Sequence, residues 1–146
     1  MAYATIQNMI DRFTEAELRQ LAPVTPNVAP FHDVARIQQA LDDASAELDS
    51  YFSIRFAVPI AEQLPLVEMH TCNLAREALD RTGRTNVLEA GKRARAWGKD
   101  VAAGRASLGS GPDGQADDVP TAESGGVQVE APDRVFTESS LAGYLS

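Results

Sequence analysis

The residues that come nearest to a catalytic pair in this chain are His70 and Cys72. An imidazole beside a thiol would give a base-activated nucleophile, provided the two side chains meet. Two positions apart on one helix, they point about 200° away from each other and cannot form a dyad. Cys72 therefore reads as a small core residue, as free cysteines commonly are, and His70 as a residue at the edge of that core. One cysteine and two histidines, His32 and His70, give no internal disulfide framework and little material for a metal site. The adjacent carboxylates Asp42 and Asp43 diverge on a helix and read as a solvated face. The glycines between Gly109 and Gly114 precede neither a helix nor a Lys-Ser/Thr pair, so they do not make a phosphate loop. The expectation is a protein that is not an enzyme and that carries no cofactor or metal.

Positive charge concentrates in Lys92, Arg93, Arg95 and Lys99, with Arg76, Arg81 and Arg84 nearby. Lys92, Arg95 and Lys99 share one helical stripe. Such a stripe is either a plain solvated face or a contact with an acidic partner surface or nucleic acid. The chain as a whole is acidic: 21 acidic against 13 basic residues in 146, a net charge of −8. That balance disfavours a freestanding DNA-binding module, which needs clustered Lys and Arg to neutralise phosphates. No run of about 18 apolar residues is present to span a membrane. Met1 to Phe13 lacks the basic and apolar regions of a signal peptide, so a cytoplasmic setting is expected.

Helices must position these groups. Thr5 can cap a short helix to Arg12, and Thr14-Glu-Ala-Glu17 has the form of a capping box opening a second short helix to Leu21. Pro23, Pro26 and Pro30 keep residues 22–31 as a loop. From Asp33 to about Phe56, the positions Val34, Ile37, Leu41, Ala44, Leu48, Tyr51 or Phe52, and Arg55 step by three and four. That periodicity predicts a long amphipathic helix, the spine of the domain. Phe56 to Ile60 breaks it. Pro65 suits the first turn of another long helix to about Arg81, with Val67, Thr71, Leu74, Ala75 and Ala78 on its apolar face and Gly83 as its stop. Thr85 can cap a last helix to about Ala103, ended by Gly104. Its inner stripe, Val87, Gly91, Ala94, Gly98 and Val101, is small in the middle and suited to close helix packing.

Residues 1–106 thus form an all-α helical bundle. Composition then changes: Ser107 to Gly126 holds five glycines and two prolines among acidic residues, the composition of a flexible linker or loop. Residues 110–146 carry seven acidic side chains and a single basic one, Arg134. Over 127–146 apolar residues return. Val127 and Val129 alternate with polar neighbours as in a short strand, and Val135, Phe136, Leu141 and Tyr144 follow. This is an extended, partly β arm, which either folds back on its own core or anchors another chain.

Several segments resemble, in order along nearly the whole chain, a family of small proteins from Mu-like tailed phages and prophages. They are the opening Met1-Ala-Tyr-Ala-Thr with Arg12-Phe13 and Glu17-Leu18, the break Arg55-Phe-Ala-Val-Pro-Ile60, Cys72-Asn-Leu-Ala-Arg76, Trp97 to Gly109, and the closing Val135-Phe-Thr137 and Ser140 to Tyr144. The chain departs from the family's Gly- and Asp-rich turn in having Ala22 to Pro30, which puts any contact of that turn in doubt. The resemblance implies a head–tail connector, an adaptor or head-completion protein of the phage neck. Identical subunits would form a ring, commonly of twelve, beneath the portal protein and above the next neck or tail-terminator protein. DNA would pass through without sequence-specific binding, in a virion assembled in the host cytoplasm. Portal binding would then fall to the arm residues Val127, Val129, Arg134, Val135, Phe136, Leu141 and Tyr144, and contact with a subunit or partner to Lys92, Arg95 and Lys99. The rival expectation is a small DNA-packaging or regulatory accessory protein that binds nucleic acid through the basic last helix.

Overall fold

Thr5 opens the first helix by accepting a hydrogen bond from the Asn8 backbone N–H, while the Asn8 side chain accepts from the Thr5 N–H. This reciprocal pair satisfies two amide donors that a helix start leaves free. The computed structural model describes residues 1–25 and 29–109. Within them lie α1 (Ile6–Phe13), α2 (Glu15–Leu21), α3 (Val34–Phe52), α4 (Pro65–Leu79) and α5 (Thr85–Ala102). The fold is mostly helical, as the sequence predicts. An isolated antiparallel bridge between Pro23 and His32 draws together the two ends of the proline-rich loop. Of the linker expected over 107–126, only residues 107–109 are described, and there Leu108 is buried in the core rather than left in solvent; the rest of it and the arm lie outside the described residues.

α3, α4 and α5 pack on one another, and α1 lies across α3 and α4 with α2 beside it. Ile37, Leu41, Leu48 and Phe52 of α3 meet Val67, Leu74 and Ala75 of α4 and Ala94 and Val101 of α5, all buried in one core. Met9 and Leu18 close it from the N-terminal side. Phe52 fills the position the sequence left open between it and Tyr51; Tyr51 instead turns sideways onto α5. The segment before α1 is clamped to the spine. The Tyr3 backbone N–H donates to Ser45 Oγ at 2.9 Å, and the Tyr3 hydroxyl donates to Asp49 while accepting from the Ile60 N–H. Burial first, and then the bond to Asp49, push the Tyr3 hydroxyl well above its ordinary pKa.

Four local expectations need correction. α3 ends at Phe52 rather than Phe56, because Ser50 and Ser53 turn their hydroxyls onto backbone carbonyls of the last turn. Arg55, beyond the helix, donates to the Val101 carbonyl near the end of α5. α4 ends at Leu79 rather than Arg81, because the Asp80 carboxylate takes the backbone N–H groups of Thr82 and Arg84 and turns the chain. Ala78 and Val34, expected on apolar faces, are exposed at the ends of their helices. Finally, α5 starts without a side-chain cap: Arg84, not Thr85, is the N-cap residue. The expected stop of α5 holds. Gly104 adopts φ +76°, and Gly104 and Arg105 donate to the carbonyls of Val101 and Asp100, as a left-handed C-terminal turn requires.

Candidate functional site

α5 owes its placement to its glycines. At Gly98 a Cβ would lie 2.7 Å from Tyr51 Cδ2, and at Gly91 it would overlap the Glu77 carboxylate. The bare backbone at these two positions admits a ring from α3 and a carboxylate from α4. The small inner stripe read from the sequence is buried along its whole length.

The open space at Gly91 lets Glu77 reach Arg95. Arg95 Nη1 donates to Glu77 Oε2 at 2.8 Å, and Nε donates to Glu47 Oε1 at 2.7 Å. One guanidinium therefore ties α3, α4 and α5 together. Burial works against its charge, but the two carboxylates outweigh burial and hold its pKa above the ordinary arginine value. Of the stripe Lys92, Arg95 and Lys99, the structure turns Arg95 to the bundle and leaves Lys92 and Lys99 exposed. Neither lysine pairs with a carboxylate among the described residues, and the same holds for the exposed Arg93. Asp42 and Asp43 of α3 are exposed and accept hydrogen bonds from Gln38 and Gln39, one turn earlier.

A second charged cluster sits where α4 turns into α5. Thr14 caps α2 by accepting from the Glu17 N–H, but the Glu17 side chain does not return to complete the expected box. It accepts instead from Arg76 Nε at 2.6 Å and Arg84 Nη2 at 2.9 Å. Arg76 also stacks over the Phe13 ring at 4.5 Å. Arg84 Nε donates to Asp80 Oδ2 at 3.1 Å. Hydrogen bonds from Thr82, then from the Arg84 backbone and guanidinium, hold the Asp80 carboxyl well below the usual carboxylate range. The same bond to Asp80, with Glu17, raises the Arg84 guanidinium. Beside this cluster opens a cleft of about 360 Å³, lined among others by Gln20, Arg36, Arg81, Thr82 and Arg84. The basic count in the sequence flagged Arg81 and Arg84, but nothing in it placed Arg36 beside them, because that meeting depends on how the start of α3 packs on the end of α4.

Cys72 is fully buried, and burial pushes its thiol up to about 12. His70 is buried as well, deeper than the edge position expected of it. It stacks on Trp97 at 4.4 Å, and its Nδ1 has no hydrogen-bond partner among the described residues. Burial lowers its pKa. The two side chains serve the core and do not meet as a pair. Among the described residues no cluster of His, Cys, Asp and Glu could hold a metal ion, and no helix is long and apolar enough to cross a membrane. The arm residues Val127, Val129, Arg134, Val135, Phe136, Leu141 and Tyr144 lie outside the described residues.

Comparison with known proteins adds an independent finding. The sequence profile of the family described as "Bacteriophage Mu, Gp36" matches residues 3–130. The Mu-like prophage FluMu protein gp36 of Haemophilus influenzae is 31% identical over 151 residues, spanning 98% of this chain and 98% of that protein. Gene product J of Escherichia phage Mu is 37% identical over 76 residues, 51% of this chain and 52% of its own length.

Proposed function

This chain belongs to the Bacteriophage Mu Gp36 family, and from that premise we propose that it is a structural subunit of the phage neck. In this reading identical copies form a ring beneath the portal protein, join the DNA-filled head to the next neck or tail-terminator protein, and let DNA pass. The place of action is the head–tail junction of the virion. The role asks for rigid side-by-side packing and for no chemical step.

The observation that carries the reading is the likeness to Mu-family phage proteins along nearly the whole chain, on a bundle that exposes charge of both signs. Asp42 and Asp43 stand exposed on α3, while Lys92 and Lys99 stand exposed on α5 without partners among the described residues. Exposed charge of both signs on one rigid subunit lets one copy's carboxylates meet another's lysines, and head-to-tail association of that kind closes into a ring when the rotation per subunit divides a full turn. Arg95, held between three helices, keeps the two helices that carry those charges in register. The apolar arm, residues 127–146, would supply the portal contact. Its Phe136, Leu141 and Tyr144 each contribute about 1.5–3 kcal/mol if buried in a partner pocket.

The test is charge reversal. A Lys92→Glu, Lys99→Glu chain should keep its helical content and melting behaviour but fail to assemble on the portal, read as lost rings in electron micrographs and lost infectious particles. Unaltered particle yield would return both lysines to a solvated face. The rival reading, a nucleic-acid-binding accessory protein, draws on the same exposed cations together with Arg93. It is weakened because Arg95 is already committed to Glu47 and Glu77. Steeply salt-dependent DNA binding by the isolated protein would favour that rival.

A further inference from the structure

The cleft at the α4–α5 turn has more positive charge than its own carboxylates can neutralise. Three arginines, Arg36, Arg81 and Arg84, line it with a single carboxylate, Asp80, and beside it Arg76 and Arg84 share Glu17. Asp80 is taken by Arg84, Thr82 and the chain turn. Arg36 and Arg81 line the cleft, and neither guanidinium has an ion-pair or hydrogen-bond partner among the described residues. Planar guanidiniums in a concavity suit carboxylates, which they bind through paired N–H donors.

The chain supplies a ligand of that chemistry. Residues 110–133 contain Asp113, Asp117, Asp118, Glu123, Glu130 and Asp133 and no basic residue. They begin where the described residues end, at Gly109, which packs against Leu66 at the start of α4. The cleft lies at the other end of α4, about 22 Å away for a 15-residue helix. Eight residues separate Gly109 from Asp117, a reach of roughly 26–29 Å when extended. Asp113, four residues on, reaches only about 14 Å and falls short. We propose that the cleft binds carboxylates of the chain's own acidic segment, Asp117 to Glu123, with Arg36 and Arg81 as the principal contacts. An intramolecular ligand has the advantage of a high effective concentration. The contact stands independently of the neck reading. Its consequence rests on that reading: a segment held there launches the portal-binding arm from the α4–α5 end of the subunit.

The test uses the full chain with cysteines in place of Gln20, in the cleft, and Ala122, between Asp118 and Glu123. Cys72 is buried and stays out of the reaction. Under mild oxidation the Q20C/A122C protein should close a disulfide within the monomer. Closure should slow roughly five-fold on adding Arg36→Gln and Arg81→Gln, which remove exposed pairs of modest strength, and slow likewise at ~1 M salt. Neither arginine has a described partner to lose, so a native far-UV spectrum is expected of the variant. A closure rate indifferent to both arginines and to salt overturns the proposal. So do disulfides that form between chains, which would make the ligand another copy's segment. Stoichiometric suppression of closure by a DNA oligonucleotide, absent in the arginine variant, would assign the cleft to phosphates instead. Ring formation on the portal is a separate measurement, so failure here leaves the neck reading standing.

Discussion

Two of the arginine–carboxylate clusters in this bundle hold their charges in opposite proportions. In the middle, Arg95 lies between Glu47 and Glu77, so acid is in excess and the guanidinium is fully engaged. At the α4–α5 end, Arg76 and Arg84 take Glu17 and Asp80 while Arg36 and Arg81 line the adjoining cleft, so base is in excess and two guanidiniums stay free among the described residues. The first arrangement is closed and holds three helices in register. The second is open and keeps capacity for a ligand. Residue type alone does not separate these roles; the ratio of donors to acceptors and the shape of the surface do. Lys92 and Lys99 make the same point on one helix, since they share the Arg95 stripe yet face solvent.

The comparison breaks most completely if the layer beneath the central brace is emptied. Leu48 is fully buried, one residue from Glu47. Leu48→Ala should destabilise the bundle by about 2–5 kcal/mol, through lost transfer energy and the cavity left behind. Chemical denaturation of the variant measures it. A wild-type midpoint would mean that α3 is not the spine and that the brace stands on some other support.

A smaller effect should follow from removing the brace itself while sparing the core. Arg95 is a little over one-third exposed, so solvent screens its pairs. Arg95→Met keeps the aliphatic stem and should cost about 1 kcal/mol, more than an exposed pair alone because Glu47 and Glu77 are left facing each other. A double-mutant cycle with Glu77→Gln reads the coupling directly. Zero coupling would reduce the brace to a surface pair and remove the contrast with the open end.

Much of this was legible in the sequence, and what was not has a definite cause. The five helices, the Thr5 cap, Pro65 in the first turn of α4, the small stripe of α5 and its Gly104 stop all rest on local periodicity and backbone chemistry. These depend on neighbours in sequence. The helix ends at Phe52 and Leu79 came earlier than periodicity implied because Ser53 and Asp80 offer side-chain partners to the backbone. The Thr14 box was half right: its Glu17 arm was drawn away by Arg76 and Arg84, which are 59 and 67 positions distant. The commitment of Arg95, the stacking of His70 on Trp97 and the Arg36–Arg81–Arg84 cleft are all tertiary meetings of this kind. No spacing in a single chain reports them.

The last and smallest effects separate the two regions by acid. His70 lies in the middle, between α4 and α5, stacked on Trp97, and burial lowers its pKa from the ordinary 6.5. A histidine that resists protonation in the native state but not in the unfolded state makes the unfolded chain bind more protons as pH falls. Stability should therefore be full above about pH 6.5 and decline as pH drops from there toward the depressed folded value. Asp80, at the open end, is shifted the same way from a lower start, the carboxylate value of 3.8. Its contribution is present above that value and is lost only as pH falls below it. The difference in stability between wild type and His70→Phe, which keeps an aromatic ring against Trp97, should thus shift against wild type between pH 6.5 and 5. Over the same interval the difference between wild type and Asp80→Asn should stay flat, and it should shrink only in stronger acid. Denaturation midpoints across that range decide the matter. A flat His70 difference would mean that the ring finds a proton acceptor or solvent when charged. The central layer would then be less sealed than the stack on Trp97 implies, and the division between a closed middle and an open end would lose its sharpest physical marker.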